Sequence, residues 1–121
     1  MIVPNLTILY VRDPATSAAF YSALLSRQPE HVFPAFVSYD LGDGFQLGLW
    51  SAHSLKPRPP ASGNRSELAF SVHAGEVDRL YGEWQSLGVP IDEELHEAVF
   101  GPTFVGLDPD GHRLRVCTPD K

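Results

Sequence analysis

The amino-acid sequence predicts an α+β fold in which one βαβββ pattern occurs twice. In each half of the chain an extended run passes into a helical pattern, and each half closes with a hairpin signal. A stretch rich in proline and glycine separates the two halves. Because 121 residues are too few for two independent cores, we expect one domain, with module one at residues 1–51, a linker at 52–66 and module two at 67–121.

The first module begins with a β-forming run, Leu6–Val11. Asp13 is a typical N-cap residue, and the proline after it suits the first helical position, so a helix is predicted over Pro14–Leu25, before Pro29. Residues 36–41 and 45–50 then flank the turn Gly42-Asp43-Gly44, which predicts a hairpin.

The second module repeats this order with a predicted strand, a helix that ends at Gly88, and three further strands. The strands are predicted at residues 67–72, 91–100, 103–107 and 113–118, with a turn at 108–111. The helix is predicted over residues 76–87, and its apolar face consists of Val77, Leu80, Tyr81, Trp84 and Leu87.

Composition excludes several classes of function. A formal charge of −6 without a Lys/Arg cluster argues against a nucleic-acid partner, and no apolar run reaches the about 20 residues that span a bilayer. We expect a cytoplasmic protein with no membrane partner. Cys117 is the only cysteine, so it is interpreted as a small hydrophobic residue rather than part of a disulfide or a zinc site. The run Asp92-Glu93-Glu94 is interpreted as a solvated acidic stretch.

Two motifs carry a family resemblance. Residues 6–13, with Phe20, Tyr21 and Leu24, and the turn Asp108-Pro109-Asp110-Gly111, with Leu114 and Val116, resemble the opening and closing segments of the vicinal oxygen chelate superfamily. Glyoxalases, bleomycin-resistance proteins and extradiol dioxygenases belong to that superfamily. The resemblance spans nearly the whole chain. It implies sheets that curl into an open barrel, helices on the convex side, a ligand cavity on the concave side, and a homodimer with modules paired within or across subunits.

Enzymes of that superfamily generally bind a divalent metal through His or Glu side chains on the first and last strand of each module. The resemblance places Leu6, Gln46, Glu67 and Arg115 at these positions. Leucine has no lone pair to donate, and the fixed positive charge of arginine repels a cation. We therefore expect no metal, no cofactor and no catalytic residue. Glu67 and Arg115 are expected either to form a salt bridge or to reach solvent separately.

Strand alternation, together with the resemblance, predicts which side chains face the ligand, and Phe36, Phe100 and Phe104 are added as candidate aromatic walls. Trp50 is the strongest candidate for stacking against a planar ligand, although aromatic residues in strands are also ordinary core residues. The predicted ligand-binding residues are Leu6, Ile8, Tyr10, Phe36, Gln46, Trp50, Glu67, Phe100, Phe104, Arg113 and Arg115.

The favoured function is metal-independent binding of an aromatic or antibiotic-like small molecule, similar to the bleomycin-resistance branch. Resistance would then arise by sequestration, without chemical change to the ligand. The alternative is an enzyme of the same superfamily, a lyase, isomerase or dioxygenase, with atypical or absent metal ligands. A protein-interaction or purely structural dimer has no positive support in the sequence.

Overall fold

Each half of the chain forms one helix and one four-stranded mixed sheet, which confirms the predicted α+β class and the repeated βαβββ order. The computed structural model of the chain describes residues 2–54 and 66–118. Two compact units are present, Met1–Ser62 and Gly63–Lys121. Most of the predicted linker, residues 55–65, lies outside the described residues.

The first unit contains β1 Leu6–Val11, α1 Pro14–Leu25, β2 His31–Val32, β3 Phe36–Asp40 and β4 Gln46–Ser51. The spatial order of its strands is β1-β4-β3-β2. The first and last strands, β1 and β4, pair in parallel, whereas the other neighbours are antiparallel. The predicted hairpin is therefore confirmed, and β4 closes the unit beside β1.

Local capping explains the bounds of α1. The Asp13 carboxylate accepts a hydrogen bond from the Ala15 amide at 3.3 Å, which satisfies a backbone donor at the helix start, and a second from the Thr16 hydroxyl at 2.7 Å. At the other end Ser26 adopts a left-handed conformation, φ 52°, and its amide donates to the carbonyl of Ser22. The helix thus ends before Pro29 is reached.

Helix α1 covers one face of its sheet. The fully buried Tyr39 donates from its hydroxyl to the Ala18 carbonyl at 2.9 Å and shares a second hydrogen bond with the Ser22 hydroxyl. Leu47 lies beside Tyr39 in register and is also fully buried. Side chains alternate along a strand. The immediate neighbours of Tyr39 on β3 and of Leu47 on β4 therefore project from the opposite face, which α1 does not cover.

The second unit contains β5 Glu67–Ser71, α2 Ala74–Ser86, β6 Ile91–Ala98, β7 Gly101–Leu107 and β8 Arg113–Cys117. Its strand order, β5-β8-β7-β6, repeats that of the first unit, again with the first and last strands parallel. The pairing of β6 with β7 is irregular between Ile91 and His96. This bulge changes which β6 side chains share a face with β7.

Helix α2 packs through Trp84, whose ring meets Phe70 and Phe104 edge-on at 5.6 and 5.2 Å. The helix begins at Ala74, two residues before the predicted start, and Gly88 with φ 83° follows its end, as predicted. The predicted burial of Leu87 is wrong: this residue caps the helix and is 48% exposed. Within the described ranges, neither helix is long and apolar enough to cross a membrane.

Candidate functional site

The uncovered face of the first sheet carries large apolar side chains. We call it the aromatic face and define it by Leu6, Ile8, Tyr10, Phe36, Gln46 and Trp50. Strand register brings them together: Leu6 pairs with Gln46, and Trp50 pairs with Tyr10 on one side and Phe36 on the other. The common face predicted for Leu6, Ile8, Tyr10, Gln46 and Trp50 agrees with this register, and Phe36 shares it. Their role in ligand binding stays a prediction.

Exposure distinguishes this face from the covered one. Tyr10 is 48% exposed, Leu6 43%, Ile8 38% and Trp50 36%, whereas Leu47 and Leu49 on the helix side are fully buried. Contiguous apolar patches on a protein surface usually mark a binding site. Phe36 and Trp50 also form an edge-to-face pair, with ring centroids 5.8 Å apart and planes at 78°. The arrangement offers aromatic surface to a ligand.

The corresponding face of the second sheet is charged. We call its ionic cluster the arginine–carboxylate network, consisting of Glu67, Asp92, Glu93, Arg113 and Arg115. The predicted ion pair of Glu67 and Arg115 is present, with Arg115 Nε donating to Glu67 Oε1 at 2.8 Å. Arg113 Nε donates to the other Glu67 oxygen at 3.0 Å. Both partners of the predicted pair remain partly exposed, with 31% of the Glu67 side chain and 19% of the Arg115 side chain accessible.

Carboxylates of β6 complete the network. Arg113 Nη2 and Arg115 Nη2 donate to Glu93 Oε2 at 2.5 and 3.0 Å, and Arg113 Nη1 bonds Asp92. Arg115 Nη1 also donates to the buried Thr103 hydroxyl at 3.0 Å. Every guanidinium nitrogen of both arginines thus has an acceptor within the sheet.

The network favours the charged forms of Glu67, Glu93, Arg113 and Arg115. Hydrogen bonds from Arg115, and then from Arg113, lower the pKa of Glu67 in spite of the opposing effect of burial. Hydrogen bonds from Arg113 and Arg115 likewise lower the pKa of Glu93. The same contacts raise the pKa of both guanidinium groups. Glu67 and Glu93 therefore stay ionised beside two permanently positive guanidinium groups.

The residues at the expected metal-ligand positions do not fit a divalent metal. In the first unit, Leu6 and Gln46 provide one weak amide oxygen between them. In the second unit, both oxygens of Glu67 already accept from arginine, and Arg115 fills the other position. Among residues 2–54 and 66–118, no group of three or more His, Cys, Asp or Glu side chains is arranged to hold a metal ion.

Two predicted ligand-binding residues lie elsewhere. Phe104 was predicted to be a ligand wall, and this prediction is wrong: it is fully buried and packs on Tyr81 and Trp84 of α2. Phe104 pairs with the fully buried Val116, so it lies on the face of the sheet that α2 covers. Phe100 lies in the turn between β6 and β7 and is 39% exposed, not on a sheet face. Its carbonyl accepts from the Thr118 hydroxyl.

Three residues of the second sheet differ from their sequence interpretation. Asp92 and Glu93 were interpreted as part of a solvated run, but they bind the arginines. Sequence gives no signal for this, because the pairing joins positions about twenty residues apart across the β6 bulge. Cys117 is a free, half-buried thiol on the face that carries Arg115, and not a fully buried core residue.

A surface groove of about 370 Å³ lies between the start of α2, the end of β6 and the start of β7. We call it the α2 groove; it is lined by Ala74, Gly75, Asp78, Leu95, His96, Glu97 and Pro102. It contains none of the predicted site residues and no aromatic ring other than an imidazole. Its composition does not suit stacking, so the aromatic face is the stronger candidate site.

Known proteins of similar sequence and fold show the family of this chain. A family model described as the Glyoxalase/Bleomycin resistance protein/Dioxygenase superfamily matches residues 3–116. The phenazine antibiotic resistance protein EhpR of Enterobacter agglomerans is 35% identical over 124 residues, which covers 98% of this chain and 94% of that protein. A protein from Agrobacterium tumefaciens, solved by NMR in solution, is 40% identical with a TM-score of 0.88 over 100% of both chains.

A glyoxalase-related enzyme from Fulvimarina pelagi has the same fold, with a TM-score of 0.83 over 98% of this chain and 90% of that one. Its identity of 23% supports the fold alone. The family model spans nearly the full length of the chain, and the repeated βαβββ order is observed. The chain therefore belongs to the glyoxalase/bleomycin resistance protein/dioxygenase superfamily.

Proposed function

We propose that this protein binds a planar, polycyclic aromatic compound of the phenazine type on its aromatic face, without a metal. Binding sequesters the compound and thereby protects the cell from an aromatic antibiotic. The ligand leaves unchanged. No catalytic group of this chain is required, since burial of aromatic surface is itself the source of affinity.

One observation carries the proposal: a sheet face rich in aromatic and aliphatic side chains is left open. Tyr10, Phe36 and Trp50 lie side by side across three neighbouring strands, because their positions are paired in register. A flat ring system placed on them buries apolar surface from both partners and gains the directional attraction between aromatic rings. Flanking aliphatic positions extend the surface without adding charge.

Two further observations support the proposal. The relative from Enterobacter agglomerans is named a phenazine antibiotic resistance protein, and it aligns with nearly all of this chain. A metal-dependent reaction, the alternative within the superfamily, needs open carboxylate or imidazole ligands. Glu67 does not meet that need, because Arg113 and Arg115 bind both of its oxygens.

Calorimetric titration of the full-length protein tests the proposal. Phenazine is the planar probe, and its fully hydrogenated analogue is a non-aromatic control of similar size. We expect saturable binding of phenazine and much weaker binding of the analogue. Trp50→Ala should weaken phenazine binding roughly tenfold, since one aromatic contact is lost. Leu87→Ala, a change at an exposed apolar residue that caps α2 and is not part of the aromatic face, serves as the matched control.

The fate of the ligand separates binding from catalysis. After incubation with the protein and denaturation, mass spectrometry should recover phenazine unchanged and in full. Conversion of the probe to a product would contradict sequestration. Equal affinity of Trp50→Ala and the unaltered protein would contradict the assignment of the site to the aromatic face.

A further inference from the structure

We propose that Gly48 is a specificity-determining residue, because it lets the Phe36 ring lie across β4 and form a corner with Trp50 that selects flat ligands. The inference rests on the function proposed above. Gly48 has no side chain of its own, and it acts on ligand shape through the position of the Phe36 ring.

The space above Gly48 is occupied by an aromatic ring. A β-carbon on Gly48 would lie 2.8 Å from Phe36 Cε1 and 2.9 Å from Phe36 Cζ, well inside van der Waals contact. Gly48 pairs in register with Ile8 on β1 and with Ser38 on β3. Phe36 therefore reaches Gly48 diagonally, from two residues before Ser38 on β3, and covers it: Gly48 is buried although it belongs to the open face.

Space, not backbone conformation, requires glycine at this position. Gly48 is absent from the residues with positive φ, so its strand conformation is open to any amino acid. A glycine inside a strand is otherwise unfavourable, and it often marks the close approach of another group. Here the approaching group is the Phe36 ring, two of whose atoms occupy the volume of a missing side chain.

Because the Phe36 ring lies close over Gly48, it forms a corner with the ring of Trp50. Its plane stands at 78° to that of Trp50, with 5.8 Å between centroids. Aromatic rings prefer offset-stacked or edge-to-face contacts, so a flat ligand can stack on one ring while its edge meets the face of the other. A bulky saturated ligand cannot make either contact. The corner thus favours rigid fused aromatic rings over other apolar molecules.

Alanine at position 48 is expected to remove the corner without unfolding the sheet. The atoms that a methyl group would strike are at the far end of the Phe36 side chain. Phe36 lies on the uncovered face and is only half-buried, so its ring can rotate toward solvent. The strand is kept, while the Phe36 ring loses its edge-to-face position beside Trp50.

Phenazine affinity, measured by calorimetry on the full-length protein, tests the inference. We expect Gly48→Ala to weaken binding about tenfold, the equivalent of one aromatic contact. Gly82→Ala is the matched control, because nothing lies within 4 Å of its added carbon, and its affinity should remain unchanged. In a Phe36→Ala background, Gly48→Ala should have no further effect, since the two residues act through one ring.

The outcomes are distinguishable from those of the proposed function. If the unaltered protein fails to bind phenazine, the proposed function itself fails. If it binds and Gly48→Ala binds equally well, the inference is overturned while the function stands. Should Gly48→Ala fail to fold, Phe36→Ala decides: it should lose about the same tenfold in affinity, and undiminished binding would overturn the inference.

Discussion

Removal of the Arg115 side chain should destabilise the second unit by an intermediate amount, about 2 kcal/mol. Arg115 donates to Glu67, Glu93 and Thr103, so Arg115→Ala removes several hydrogen-bonded ion contacts. Solvent screens these contacts, because Glu67 and Glu93 are 31% and 35% exposed, and their loss costs about 1 kcal/mol.

The remainder comes from packing. Arg115 is the cross-strand partner of the fully buried Val105, and because a long arginine stem shields apolar neighbours on its face, its removal is expected to cost about another 1 kcal/mol. Glu67 and Glu93 keep Arg113 as a partner, so no carboxylate is left as an unpaired charge. The change therefore stays below the about 3 to 5 kcal/mol typical of breaking a buried pair.

Urea unfolding followed by tryptophan fluorescence measures this change. In a Trp50→Phe background, the buried Trp84 becomes the sole reporter and reports on the second unit. Arg79→Ala is the matched control: Arg79 also binds two glutamates but is 57% exposed on α2, so its loss should leave the unfolding free energy indistinguishable from wild type. A change near zero for Arg115→Ala, or one above about 4 kcal/mol, would refute the reasoning.

Three further predictions concern pH, packing and metal content. The Asp108 carboxylate raises the pKa of His112, so the stability from this pair is full below pH about 6.5 and is lost as pH rises through the raised value. His112→Gln should flatten the decline in urea midpoint between pH 6 and 9, and an unaltered decline would contradict this. Gly106→Ala should lower the free energy of unfolding in urea by about 1 to 3 kcal/mol, because the added carbon would lie 2.8 Å from Val89 in the core. An unchanged free energy of unfolding would contradict this close packing. Elemental analysis should find far less than one divalent metal per chain, and a stoichiometric content would refute metal independence.

Local signals made most of the fold predictable. Asp13 and Pro14 predicted the start of α1 at the correct residue, because capping depends on near neighbours in sequence. Gly88 likewise marked the end of α2. The start of α2 was less accurate, since His73 makes no side-chain cap that a sequence pattern would reveal.

The candidate site was predictable only where alternation along a single strand determines which face a side chain occupies. Alternation placed Tyr10 and Trp50 on the open face of the first sheet, in agreement with the observed register. Phe104 was misassigned because neighbouring residues of β7 are buried on both faces, so the sequence has no polar alternation that would place Phe104 on the helix side. The contacts of Arg113 with Asp92 and Glu93 depend on the bulge in β6, a long-range irregularity without a local signature.

Chemical-shift mapping with phenazine tests the central claim most directly. The isotope-labelled protein is titrated with phenazine, and its backbone amide and indole resonances are followed by NMR. We predict that the largest shifts cluster on β1, β3 and β4 around Tyr10, Phe36 and Trp50, with the indole of Trp50 among them. Shifts confined to the α2 groove, or none at saturating phenazine, would contradict an aromatic ligand site on the open face of the first sheet.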